Sequence, residues 1–543
     1  MVAFLTPALR FEHPLVLVLA VAVTTLAVVA IYRTLCADRY PRNLPRIGAR
    51  EGVPWQQMRK KFQADCLAVF DDAYENYSKR GQSVLIPVFG PNDEVILPPT
   101  SLQWLVRQPE DVVNSLAAQV DSIQLEHSLG YKFAYDPWGG MLIKKDLNSA
   151  MDAMCAIMSD ELNAAFEATF GTDTQNWKEL DLFPTCRMLS GQLTQRFTVG
   201  DSPEGLKLAR DKSWVQSCYN VLDGMLDVAG AAASYKRFLR PVVAQWTKRA
   251  MPGKLGDLKQ RFEPLYRERL SIVERKGVND NIQGPRDLLG MMMDYAVNER
   301  PDEALNLDDM AKRLAVMNFG TMHQTVLTLH NLLLDVLGSD QEFNTVSVLR
   351  EEVQRVMGPG DLGCKQWNKA KFQAMTRADS ICRETLRVHT FLGRAVQRLV
   401  VGKDGLVTED GIRVPQGAMV SILAHQTQTD ADTYKDPHKY DPFRHSRRRE
   451  AAAEPGTGKP GLHNLSFVAT SAENLPFNHG KHACPGRFLV EYEFKLIMAY
   501  AVMNYDIELP ESYGGKRPPN TWFAGFGIPP LEAKIRVRRR SPG

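Results

Sequence analysis

Phe477-Asn478-His479-Gly480-Lys481-His482-Ala483-Cys484-Pro485-Gly486 is the stretch on which the reading of this chain turns. A cysteine lies between two glycines, and helical apolar spacing runs from Phe488 to Tyr505 behind it. Gly480 and Gly486 each permit backbone angles that other residues resist, which suits a tight loop. Pro485 suits a first helical turn. Such a loop turns backbone N–H groups toward the sulfur, and the following helix adds the positive end of its dipole. These are the conditions under which a thiolate is kept for iron while shielded from solvent. The bland alternative is a buried structural cysteine after a glycine turn.

Working outward, Glu-x-x-Arg occurs twice, at Glu352/Arg355 and Glu384/Arg387. On a helix these residues lie on adjacent turns and can pair. Only the second pair is followed by a stretch, Ala395 to Val420, whose apolar period shifts toward two around turns at Asp404-Gly405 and Asp410-Gly411, and then by Asp441-Pro442-Phe443-Arg444. The first pair is read as a surface ion pair. Further upstream, Leu307 to Leu337 reads as one long helix, capped by Asn306, with Asp308 and Asp309 in its first turn and Gly338 at its end. It is apolar nearly all round and is therefore expected to be buried. Its middle is Gly320-Thr321-Met322-His323-Gln324-Thr325.

Taken together, these segments resemble the cytochrome P-450 superfamily. The cysteine stretch matches Phe-x-x-Gly-x-Arg/His-x-Cys-x-Gly at every fixed position. The resemblance implies a mostly α fold with a minor β region, and heme b with Cys484 as the axial thiolate. Phe477 would cover the sulfur side of the ring, Gly480 and Gly486 would shape the loop, and His482 would meet a propionate. Arg394, Arg398 and Lys144 are further candidates for the propionates, each with an ordinary surface or ion-pair role as the alternative. Glu384, Arg387 and Arg444 would form a structural triad. The middle of the long helix resembles Ala/Gly-Gly-x-Asp/Glu-Thr-Thr, so Gly320, Thr321, His323, Gln324 and Thr325 become the catalytic stretch. Gly320 would let the helix pass close over the haem face. Two positions depart from the pattern: His323 replaces the acid, and Gln324 stands where the relaying threonine is expected. Thr325 should point about 100° away around the helix. Either Gln324 with ordered water carries protons, or the reaction needs less of this relay. His323 can also be read as a hydrogen-bonded core histidine.

The bulk composition excludes extremes. At 543 residues, 44% hydrophobic and 24% charged, with a net charge of +3, the chain is ordinary and globular, and no basic domain points to nucleic acid. Its eight cysteines are scattered with no zinc spacing and no disulfide framework, as in a body kept in a reducing compartment. From Pro14 to Tyr32 the sequence is almost wholly apolar, long enough for a membrane-spanning helix. Arginines at 33, 39, 42, 46 and 50 follow it against Arg10 alone before it, which orients the body toward the cytoplasm. A cleaved signal peptide is the alternative.

The expected organisation is an N-terminal membrane anchor over residues 1–35, a hinge over 36–54 and one catalytic domain over 55–543. Residues 55–80 read as a helix, 82–97 as a strand pair around Gly90-Pro91-Asn92-Asp93, and about 100–340 as mostly helical with breaks at Asp136-Pro137, Gly200–Pro203, Gly277–Gly284 and Arg300-Pro301. Ala451 to Asn474 reads as a surface loop, and Arg536, Arg538, Arg539 and Arg540 as a solvated end. Gly358 to Gly363 fits a dinucleotide glycine pattern, but it contains a proline and opens no βαβ unit, so it is read as a loop. Electrons would then come from NADPH through a separate NADPH-cytochrome P-450 reductase. The resemblance is strongest to fungal members of secondary metabolism. It implies a single-pass protein of the endoplasmic reticulum membrane that activates O2 to hydroxylate or epoxidise a lipophilic small molecule. Two alternatives stay open: a haem-thiolate enzyme that couples, desaturates or rearranges its substrate, and a non-catalytic haem-binding membrane protein.

Overall fold

Asp65 breaks the first expected helix in two. Trp55–Ala64 ends there, and the Asp65 carboxylate accepts the backbone N–H of Ala68, capping Cys66–Asn76. The computed structural model describes residue 18 and residues 21–26, 39–278, 284–358, 367–453 and 463–541. Most of the expected anchor, Pro14 to Tyr32, lies outside the described residues, as do most of Gly277–Gly284 and nearly all of Gly358–Gly363. Among the described residues, no helix is long and apolar enough to cross a membrane. Residues 39–54, expected as a hinge, are packed onto the body instead. Tyr40, Leu44 and Ile47 are buried, and the Ile47 N–H donates to the Leu85 carbonyl at 3.1 Å.

The architecture is mostly helical with small sheets. The largest sheet has five strands, ordered Val84–Pro87, Asp93–Ile96, Met419–Leu423, Arg394–Val400 and Val113–Asn114. Its first two strands form the expected antiparallel pair, with Val84 opposite Ile96. The expected turn at Asp404-Gly405 precedes the short pair Leu406–Val407 and Arg413–Val414, and the one at Asp410-Gly411 joins its strands.

Of the C-terminal arginines, Arg540 is exposed, but Arg536, Arg538 and Arg539 are not a solvated end. Lys534–Arg539 is the central strand of a three-stranded sheet. Arg536 meets Glu508 at 2.8 Å, Arg538 meets Asp506 at 3.0 Å, and Arg539 donates to the Tyr505 hydroxyl. The expected surface loop at 451–474 begins inside a helix, Arg444–Ala453, and its middle, 454–462, lies outside the described residues.

One dominant core joins the helices Trp138–Thr169, Leu182–Val199, Lys212–Ala233, Thr376–Val388 and Arg487–Asn504 to the long helix. Leu182–Val199 is buried on nearly every side, so its polar groups pair internally. Gln192 donates to Glu161, and Gln195 donates to Asn318 while accepting from the Trp214 indole. The long helix begins as expected, with Asn306 accepting the N–H groups of Asp308 and Asp309. Its interruption is new: Leu307–Asn318 and Gln324–Gly338 are α-helical, but Phe319–His323 is a π turn. Such single-turn bulges concentrate at functional sites.

Candidate active site

Asn478 and Gly480 turn the cysteine loop, with φ of 59° and 71°. The Asn478 side chain accepts the Val396 N–H at 2.8 Å, fastening the loop to the five-stranded sheet. A Cβ on Gly480 would lie 3.2 Å from Val106, so glycine serves both the angle and the space. The Cys484 N–H donates to the Phe477 carbonyl at 2.8 Å, closing the loop. Gly486 needs no special angle: its φ is −77°, and it caps the helix that starts at Arg487, so Pro485 precedes the cap rather than entering the first turn. Burial pushes the Cys484 thiol up; the backbone N–H groups of Gly486 and Arg487 and the Arg487 charge act in the other direction. The loop therefore prepares a thiolate that a metal ion would complete, because a coordinating thiol is deprotonated by the metal itself.

Cys484 and Phe477 form one wall of a cavity of about 1430 Å³. Ligand pockets usually measure about 300–1,000 Å³, so this one has room for a large planar group and a second molecule. The π turn lines the same cavity. Phe319, Gly320, His323, Gln324 and Thr325 line the cavity, and a Cβ on Gly320 would meet nothing within 4 Å. Thr321 is turned away: it is buried and gives its hydroxyl to the Met317 carbonyl at 3.0 Å. Thr325, expected to point aside, does line the cavity. A π turn holds an extra residue, and each residue is worth about 100° of rotation, so the helix beyond it changes phase. Its hydroxyl is already given to the Thr321 carbonyl at 2.7 Å. Gln324 is exposed, and its side chain has no hydrogen-bond partner among the described residues.

Basic groups gather at the cavity edge. Arg398 is buried with no bonded carboxylate; it donates to Ser115 Oγ at 3.3 Å and to the Gln397 carbonyl at 2.9 Å. His482 lies 2.5 Å from Glu110; Lys144, which is not among the lining residues, donates to the Lys481 carbonyl at 3.2 Å. Burial lowers the His482 pKa despite the Glu110 partner. Arg394 also lines the cavity, with its guanidinium paired with Glu94, which accepts from Ser421 as well.

The expected triad is assembled. Arg387 reaches Glu384 through two bonds of 2.8 Å, and Arg444 reaches it at 2.9 Å. Sequence reasoning missed a fourth member, His445, at 3.2 Å; only its place next to Arg444 hinted at it. Burial alone would raise Glu384, but Arg387 and His445 hold it well below the usual carboxylate range. Burial brings His445 itself down to about 4, so near neutral pH it meets Glu384 as an uncharged donor.

A family model described as Cytochrome P450 matches residues 158–537. The chain belongs to the cytochrome P450 family. Cytochrome P450 monooxygenase pbrC of Penicillium brasilianum is 41% identical over 517 residues, covering 94% of each chain. Cytochrome P450 monooxygenase astC of Aspergillus terreus is 41% identical over 520 residues, again covering 94% of each. Cytochrome P450 monooxygenase tenB of Beauveria bassiana is 37% identical over 508 residues, covering 92% of each. Among solved structures, retinoic-acid-bound cyanobacterial CYP120A1 aligns with a TM-score of 0.60 at 16% identity, covering 91% of this chain and 99% of that one, a likeness of fold. This P450 is an oxidoreductase that holds haem through a cysteine thiolate and receives electrons from a reductase. The residues present fit the group: a prepared cysteine, a cavity of sufficient size, an open glycine lining the same cavity and unpaired basic charge at its edge. When bound, haem supplies reductive activation of O2 and transfer of one oxygen atom to substrate.

Proposed function

We propose that this P450 hydroxylates or epoxidises a lipophilic small molecule in fungal secondary-metabolite biosynthesis, with Cys484 as the iron ligand. The observation that carries the reading is that Cys484 and the π turn line the same cavity. Arg398, His482 and Lys144 hold the propionates, with Arg398 foremost because it is buried without a carboxylate partner. Gly320 leaves room above the ring. Gln324 orients water for proton delivery, and Thr325 shapes the groove while its hydroxyl serves the helix.

A desaturating, coupling or rearranging enzyme is the second reading, favoured by one observation: no threonine hydroxyl is free at the π turn, since Thr321 and Thr325 both donate to backbone carbonyls. The product separates the two readings, because only the first incorporates oxygen from O2.

The organisation proposed is an anchor over 1–35 in the endoplasmic reticulum membrane, with the body in the cytoplasm served by NADPH-cytochrome P-450 reductase. Two observations support it. Val18, Val21, Val23 and Leu26 are exposed. Arg39, where the described body begins, shares the Gly417 carbonyl with Arg237, beside the exposed Phe238, Leu239, Val242 and Trp246. Retention in alkali-washed microsomes, lost on deleting residues 1–35, checks the anchor.

The test of function is the carbon monoxide difference spectrum of the reduced, detergent-solubilised protein. The long-wavelength band of a thiolate-ligated haem should appear and be lost in Cys484→Ala. A band that survives in the variant would place the iron on another residue.

A further inference from the structure

One end of the cavity is a wall of rings. Phe319 and His323 stack on the π turn, with centroids 6.0 Å and planes 7° apart. His323 meets Phe391 edge-on at 6.4 Å, and Phe391 stacks on Phe526 at 5.1 Å. The four rings come from three separate segments, and all of them line the cavity. Aromatic pairs prefer offset-stacked or edge-to-face contacts at about 4.5–7 Å. A lining built of stacked and edge-on rings is therefore complementary to a flat ring system. A flexible aliphatic guest gains nothing from this geometry that Leu and Val would not provide.

The polar groups of this wall are gathered at one place. Among the described residues, neither ring nitrogen of His323 has a hydrogen-bond partner. Burial lowers its pKa, so near neutral pH the ring offers one donor and one acceptor. Beside it, Arg187 pairs with Asp223 at 2.9 Å and lies 4.2 Å over the Tyr219 ring. Both members of this pair line the cavity and act on His323 in opposite senses. A polar group of neutral charge is served best by such a balanced set.

We propose that the substrate is a planar aromatic compound bearing an uncharged hydroxyl or carbonyl, with its rings on Phe391 and Phe526 and its oxygen at His323. The inference rests on the reading that this P450 oxidises a lipophilic small molecule. It makes His323 a residue that orients the substrate.

The experiment is a Soret-shift titration of the full-length, haem-loaded protein with three probes: para-phenylphenol, biphenyl and the fully hydrogenated analogue of para-phenylphenol. The phenol should bind about tenfold tighter than the hydrogenated alcohol, the sum of a few aromatic contacts. His323→Phe keeps the ring and removes its nitrogens. It should retain the preference for flat probes and cut the phenol-over-biphenyl ratio by about tenfold, the scale of one hydrogen bond. Phe391→Leu should narrow the flat-over-saturated ratio. Equal binding of the saturated alcohol, no binding of any probe, or an unchanged phenol-to-biphenyl ratio in His323→Phe would overturn the proposal. The wild-type comparison stands if a variant fails to fold. The carbon monoxide band of the same preparation separates the two failures: a normal band with a negative probe result removes only the substrate inference, and a missing band removes the function it rests on.

Discussion

The carboxylate of Glu352 accepts the backbone N–H of Ala378 at 2.8 Å, and its other oxygen accepts that of Arg377 at the same distance. Glu352 thus caps the helix Thr376–Val388, which carries Glu384 and Arg387, from the neighbouring helix Thr345–Met357. The pair expected on the surface is surface on one side only: Arg355 is 64% exposed at 3.5 Å, while the Glu352 side chain is fully buried. Glu352→Ala should lower stability by about 1–2 kcal/mol through the lost cap. Arg355→Ala should stay within about 0.5 kcal/mol. Thermal unfolding of both variants checks this, and equal losses would reject the cap.

Glu384 binds two arginines in a buried site, so neutralising it leaves their charge without a partner. Glu384→Gln should cost about 3–5 kcal/mol and sharply reduce the yield of haem-loaded protein. The wild-type carboxyl is held below its ordinary value, so the unfolded chain binds the proton first. Its contribution is therefore complete above about pH 4.3 and lost as pH falls below that toward the folded value. Acid unfolding followed by the Soret band should show this slope in the wild type. A slope of the same size in soluble Glu384→Gln would assign it to other groups.

Glu493 has the opposite sign. It lies on the helix behind Cys484, fully buried, and burial pushes it up to about 8, although the Ser190 hydroxyl donates to it at 2.6 Å. The folded protein holds this proton more tightly than the unfolded chain does. Stability therefore falls as pH rises from about 4.3 toward 8. Glu493→Gln imitates the protonated acid. It should nearly match the wild type at pH 5 and exceed it at pH 8 by a few kcal/mol, on the order set by about 1.4 kcal/mol per pH unit. Urea unfolding at the two pH values decides, and an equal gain at both would mean that Glu493 does not titrate in this range.

Gln324 and Thr325 divide what one residue was expected to do. Gln324→Leu removes the free polar group and should lower product formed per NADPH by about a hundredfold, the lower end of what positioned proton-transfer groups contribute. Thr325→Val removes a hydroxyl already committed to the Thr321 carbonyl and should change that ratio about twofold or less. A larger loss in Thr325→Val would restore the threonine as the relay.

The cysteine loop, the Glu384–Arg387 pair and the capped long helix were legible because each is written within a short span, whereas Arg444, 60 residues from Glu384, was reached only through the family resemblance. Arg387 lies three residues from Glu384, and Asn306 lies two and three residues from the N–H groups it caps. The Arg394 ion pair was not legible, because its partner, Glu94, is 300 residues away in sequence and two strands away in the same sheet. The C-terminal arginines were misjudged for a similar reason: their acidic partners are brought close by strand pairing. His445 carries no motif, and the motif at Glu352 points to Arg355 rather than to the helix it caps; only packing turns both residues inward.

By itself, the sequence determined that a cysteine would sit in a turned loop before a helix, that a buried helix would run past it, and that the body would be mostly helical. These properties follow from local backbone preferences and apolar spacing, which act over a few residues. Tertiary structure alone decided which faces meet. The π turn at Phe319–His323 swings Thr325 into the cavity and leaves Thr321 behind, the sheet pairs Arg394 with Glu94 and leaves Arg398 without a carboxylate, and the rings of Phe391 and Phe526 join His323. Each of these depends on burial and close packing between segments far apart in the chain, and such contacts have no period or spacing that a sequence can display.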